Sequence, residues 1–229
     1  MNTGYFTARN VAAATYANFR IPSWMEPFLA GDPRVLDIGC GFGQVLTALR
    51  DRGLTRLAGI DIEPEAVAHG RSLGHHVRQC SIADFLADPG GTWDVVVMSH
   101  VLEHLEKPAI IPTLARLRDI LAPGGVLLLA VPNAQANTGA YWAYEDFTHT
   151  TLFTAGSVHY VGRMAGFASV EFLDADGTAD SRGLKRLARK LLLRLYAANR
   201  RFWNRVTGSA THAGSPDIYS YDLKAALRG

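Results

Sequence analysis

From residue 34 onward, short apolar runs alternate with stretches whose apolar residues recur every three or four positions. The runs are residues 35–38, 57–62, 77–81, 93–99, 126–131 and 169–173, with a less regular one at 218–227. Between them, residues 44–49, 65–73, 109–121 and 157–165 read as helices. The clearest carries Ile110, Ile111, Leu114, Leu117 and Leu121 on one face. Such alternation predicts an α/β fold, a parallel sheet covered on both faces. The first run ends in Asp37-Ile38-Gly39-Cys40-Gly41-Phe42-Gly43, three glycines spaced two apart. Glycine at alternate positions lets the chain turn tightly and approach a ligand more closely than a Cβ allows. A helix directly after the loop adds free backbone N–H groups.

A dinucleotide fingerprint starting at Gly39 needs Gly or Ala at 44, where this chain has Gln44; starting at Gly41 it meets Leu46. A P-loop needs a Lys-Ser/Thr pair that does not follow here. The residues fit D-x-G-x-G-x-G, and the chain resembles the class I S-adenosylmethionine-dependent methyltransferases. That resemblance implies a Rossmann-like, doubly wound sheet of seven strands, mostly parallel with an antiparallel last strand, and helices on both faces. It implies that Gly39, Gly41 and Gly43 hold the methionine half of the cofactor and Asp37 its amino group. Asp61, with Ile62, stands about 20 residues beyond the loop, the spacing of a ribose-binding acid. Ile82 would cover the adenine and Asp84 take its exocyclic amine, while His100 and Val101 would flank the transferable methyl. The competing reading of all three acids is that strand-end carboxylates cap the helices that follow.

Composition narrows the partners. A chain of 229 residues, 48% hydrophobic, suits one domain with one sizeable core. We divide it into a cover segment (1–30), a cofactor-binding core (31–175), a basic helical lid (176–215) and a last strand (216–229). The formal net charge of +2 argues against a dedicated nucleic-acid surface. Two cysteines, Cys40 and Cys80, fit a reducing compartment. No charged leader with an apolar core occupies residues 1–30, and no run has the length of a membrane span. The expected location is therefore the cytoplasm, including the inner face of the membrane. Tyr5, Phe6, Tyr16, Phe19 and Trp24 make the opening segment aromatic, suited to cover either the cofactor end of the sheet or its edge.

His100-Val101-Leu102-Glu103-His104 reads literally as H-x-x-E-H, a zinc-protease motif. That chemistry needs a helix, whereas here the motif follows an apolar strand directly, so no metal is expected and Glu103 and His104 are assigned to the acceptor side. After the fifth strand, residues 132–150 gather aromatics, amides, acids and a histidine. Trp142, Tyr144 and Glu145 suit a polar ring such as a sugar, aromatic faces stacking while carboxylates bond hydroxyls. A hydroxyl acceptor must lose a proton as the new bond forms, a task for histidine. His149 is the first candidate, oriented by Asp146 or Glu145, and His104 the second. The alternative for His149 is that it only ties the loop to the next helix.

Residues 181–207 carry Leu184, Leu187, Ala188, Leu191, Leu192 and Leu195 as one helical stripe, with nine Lys or Arg and no acid on the remaining faces. This helix suits either an anionic membrane surface, through 182–205, or a lid whose stripe packs on the sheet. Within the family, the resemblance extends to quinone-pathway O-methyltransferases, and residues 132–149 look like enzymes of bacterial surface-polysaccharide synthesis. The favoured reaction is O-methylation of a sugar in a glycan or its lipid-linked or nucleotide-linked precursor, with S-adenosylhomocysteine as coproduct. A quinone or small phenol is the second acceptor, and a non-catalytic S-adenosylmethionine-binding module the reading from outside enzymes.

Overall fold

The computed structural model describes residues 4–210 and 215–229. Its centre is a seven-stranded sheet ordered β3-β2-β1-β4-β5-β7-β6. The strands are β1 (Val35–Ile38), β2 (Leu57–Asp61), β3 (Val77–Gln79), β4 (Trp93–Ser99), β5 (Leu121–Pro132), β6 (Ser169–Leu173) and β7 (Asp222–Arg228). β1 pairs in parallel with both β2 and β4, and β4 with β5, while β7 runs antiparallel between β5 and β6. The order reverses direction at β1 and β4, so the crevice beyond their carboxyl ends is a natural ligand site.

The helices are α1 (Tyr5–Ala8), α2 (Gln44–Arg50), α3 (Pro64–Ser72), α4 (Ile82–Ala87), α5 (Lys107–Asp119), α6 (Gly139–Glu145), α7 (Ala155–Met164) and α8 (Gly183–Thr207). Because successive strand residues point to opposite faces, one strand feeds two cores. Leu36 and Ile38 join Leu114, Leu117 and Val158 on the face covered by α5 and α7. Val35, Val95 and Leu128 pack on the other face against Val45 and Leu49 of α2 and against Ile21, Trp24, Met25 and Leu29. In the opening segment Trp24 thus packs on a sheet face and not along its edge, while Tyr5 of α1 reaches Asp146.

Two differences from the sequence pattern have local causes. β5 extends back to Leu121, through Gly124-Gly125, across a register shift opposite Trp93 and Val95. No residue of α8 is buried, and Leu184, Leu187, Leu191 and Leu195 are exposed. The lid reading, with its stripe against the sheet, is therefore corrected: polar and basic edges hold this helix to the domain and the stripe faces outward. Among the described residues no helix is long and apolar enough to cross a membrane.

Candidate functional site

The glycine loop has the backbone its sequence requires. Gly39, Gly41 and Gly43 have φ of +68°, +52° and +82°, a left-handed region open to glycine. A Cβ on Gly39 would stand 2.3 Å from Cγ2 of Val101, so the loop and the segment after β4 touch through the missing side chain. Asp61 at the end of β2 braces the loop: its carboxylate accepts from the Gly41 N–H (2.8 Å) and the Glu63 N–H (2.9 Å). Ile62 projects into solvent beside it, half exposed, while Ile82 packs against the main core. Asp84 lies in the exposed first turn of α4, where it accepts from the Ser81 hydroxyl (2.6 Å) as Ser81 caps the helix. The cap of α4 is thus Ser81 and not the Asp84 carboxylate.

Asp37 is buried and its Oδ2 has no hydrogen-bond partner. Burial, then the nearby charge of Asp61, pushes its pKa up to about 8. A carboxylate with no donor at the foot of a glycine loop is an incomplete site, and an ammonium group completes it.

The acceptor side is assembled from four separated stretches. Glu103 lies in a short 3₁₀ turn (Leu102–His104) after β4, and its carbonyl accepts from the Thr150 and Thr151 N–H groups (2.8 and 3.2 Å). This stitch brings His149 against His104, ring centroids 4.7 Å apart. His149 Nδ1 lies 2.8 Å from the Trp142 carbonyl; a carbonyl only accepts, so Nδ1 carries the proton and Nε2 is left as the base. His149 Nε2 faces Asp146 (3.7 Å) and Glu103 (3.9 Å). The Thr148 hydroxyl donates to Asp146 (2.6 Å) and so accepts from His104 Nδ1 (2.9 Å), which frees His104 Nε2 as well. Burial lowers the His104 pKa and keeps the ring neutral, outweighing the opposing pull of Glu103. Asp146 is buried; burial works against its charge, but bonds from Thr148 and Tyr5 and the charge of Arg9 hold it at about 2.

His100 differs in kind. Its φ is +54°, and its ring stands between Glu103 (3.4 Å) and Asp222 (3.6 Å). Burial opposes its charge, yet the neighbouring carboxylates of Asp222 and Glu103 prevail and raise its pKa to about 10. A pKa raised that far favours the charged ring at neutral pH.

Of the residues assigned to a substrate ring, Trp142 faces the site, edge-on to Tyr221 (5.5 Å), while Tyr144 and Glu145 are exposed on α6. Asp146 lies beside His149, whereas Glu145 is exposed. Sequence reasoning missed Tyr5, Arg9 and Asp222. Tyr5 donates to Asp146 (2.6 Å), Arg9 pairs with the same carboxylate, and the Gly4 N–H bonds Glu63 (3.0 Å), so α1 straps the acceptor loop to the end of β2. Only the aromatic character of the opening segment signalled this. Glu103, His104 and His149 bring donor atoms within 4.8 Å of one another, a set able to hold a divalent cation. The literal H-x-x-E-H motif contributes two of them from a turn instead of a helix.

Residues 11–171 match the family model described as "Methyltransferase domain". The chain belongs to that family. This methyltransferase-family chain is 39% identical over 139 residues to the ubiquinone biosynthesis O-methyltransferase of Xanthomonas oryzae pv. oryzae, covering 58% of this chain and 56% of that protein. To the protein of the same name from Xylella fastidiosa it is 35% identical over 132 residues, 55% and 50% of the two chains. It thus spans about half the length of the curated relatives it matches. A SAM-dependent methyltransferase from Archaeoglobus fulgidus superimposes with a TM-score of 0.69 over 98% of both chains at 18% identity, a likeness of fold. The fold is that of the class I methyltransferases, which use S-adenosylmethionine, and the unpartnered Asp37 beneath Gly39–Gly43 fits its amino group.

The raised pKa of Asp37 makes the stability of the methyltransferase pH-dependent. The folded chain keeps a proton that an unfolded Asp releases near pH 4. Its stabilising contribution is fully present below about pH 4 and is lost as pH rises through about 8. Thermal unfolding without cofactor between pH 5 and 8 is expected to show wild type losing up to about 1.4 kcal/mol per pH unit relative to Asp37→Asn. Parallel curves would show that Asp37 is ionised throughout.

Proposed function

We propose that this chain catalyses O-methylation of a sugar hydroxyl in a bacterial surface glycan or its lipid-linked or nucleotide-linked precursor, on the cytoplasmic side of the membrane. The observation that carries it is the acceptor side itself. His104 and His149 each leave Nε2 free to take a proton, among the carboxylates of Glu103, Asp146 and Asp222 and beside the faces of Trp142 and Tyr221. Such a surface matches a polyhydroxylated ring better than an apolar one. When bound, S-adenosylmethionine supplies an electrophilic methyl carbon and departs as neutral S-adenosylhomocysteine. The residues of the chain do the rest: Asp37 and the glycine loop position the cofactor, Trp142 and Tyr221 align the acceptor, and a histidine removes its hydroxyl proton.

The names of the ubiquinone biosynthesis relatives favour a second reading, methylation of a quinone precursor or small phenol. Incubation with methyl-labelled S-adenosylmethionine and two acceptor sets separates the two. Label in lipid-linked or nucleotide-linked sugars supports the first; label confined to a prenylated dihydroxyphenol overturns it. Calorimetric cofactor binding with no label transferred to either set would favour a binding module.

A further inference from the structure

Helix α8 is fastened to the domain along one side. Arg189 donates to Ser181 (2.7 Å), Lys190 pairs with Asp176 (3.2 Å), Arg201 pairs with Asp217 (2.8 Å), and Tyr196 stacks edge-on with Tyr219 (5.5 Å). On the opposite side, at about 100° per residue, Leu184, Leu187, Leu191, Leu195, Phe202 and Val206 fall in one strip. Each is more than half exposed, Leu184 at 85%. The strip runs the length of a 25-residue helix, about 37 Å. Arg194 and Arg205 border one edge of it and Lys185 the other, none with an acidic partner among the described residues.

We propose that this outward face docks on an anionic lipid bilayer, the helix lying in the interface with its leucines among the acyl chains and its cations at the headgroups. Charge selects the occupant. The helix holds eight Lys or Arg and no acid, so a second copy would bring like charges together, whereas anionic lipid neutralises them. Position gives the docking a use. A groove of about 470 Å³ between α8 and the start of β7 is lined by Arg189, Leu192, Tyr196, Tyr221 and Asp222. Asp222 is also the partner of His100, so the groove leads from the docked helix to the acceptor side. The proposal deepens the lipid-linked reading of the acceptor, but its test reads lipid binding without turnover.

The full chain should co-sediment with phosphatidylcholine vesicles containing phosphatidylglycerol at least tenfold more tightly than with phosphatidylcholine alone. Leu187→Glu/Leu191→Glu/Leu195→Glu should weaken that binding at least tenfold, as should Arg194→Glu/Arg205→Glu; both sets are exposed, and unchanged circular dichroism and cofactor affinity verify the fold. Failure of the wild type to bind anionic vesicles, or equal binding by the leucine variant, overturns the proposal. Lipid-free dimerisation abolished by the leucine variant would assign the face to a second copy instead.

Discussion

Replacing both His104 and His149 by alanine is expected to cut turnover by about 10²–10⁴-fold while leaving S-adenosylmethionine affinity nearly unchanged. The two rings touch, and each has its Nδ1 occupied, His149 by the Trp142 carbonyl and His104 by Thr148. Each therefore offers the same atom, Nε2, and one can cover in part for the other. The double variant should lose more than the sum of the two single losses, a non-additivity expected of groups in contact. Mass spectrometry of the methylated acceptor gives turnover and calorimetry gives affinity. A double variant retaining wild-type turnover would remove both histidines from the mechanism.

How far the sequence reveals this site depends on whether each determinant is local. The glycine loop was legible because its chemistry is carried by consecutive residues: three left-handed φ angles demand three glycines, and the acid before them lies on the same strand. The strands were legible because a sheet buried on both faces needs continuous apolar runs, as β1 and β4 show. Asp222, Tyr5 and Arg9 were not legible, since their roles exist only where β7 and α1 meet loops more than a hundred residues away. Asn133 shows the reverse error. It falls in the stretch whose polar composition suits an acceptor, yet its side chain is buried and bonded to the Ile218 and Ser220 carbonyls (2.8 and 2.9 Å), fastening the end of β5 to the segment before β7. For α8, periodicity revealed the stripe but not its direction. Only Asp176, Ser181 and Asp217, which engage the polar edge, decide that the leucines face outward.

Glu103→Gln is expected to lower turnover about 100-fold or more, with thermal stability unchanged or raised. The wild-type side chain is fully buried, and neither carboxylate oxygen has a hydrogen-bond partner. An unbonded buried carboxylate destabilises the fold, so its retention points to a role in the chemistry. Its neighbours give the reason it is tolerated: His100 Nδ1 at 3.4 Å and His149 Nε2 at 3.9 Å. The charge of Glu103 helps hold His100 protonated, and under the proposed reaction it would stabilise the imidazolium formed when His149 takes the acceptor's proton. Glutamine keeps the shape and removes the charge, so the pKa of His100 should fall from about 10 toward its ordinary 6.5. NMR titration of the His100 ring reads this directly, without acceptor or cofactor. A fall in pKa with lost turnover and intact stability identifies Glu103 as an electrostatic element of the reaction. If stability collapses along with activity, the carboxylate instead holds the turn after β4, and the stitch from its carbonyl to Thr150 and Thr151 becomes the feature to test.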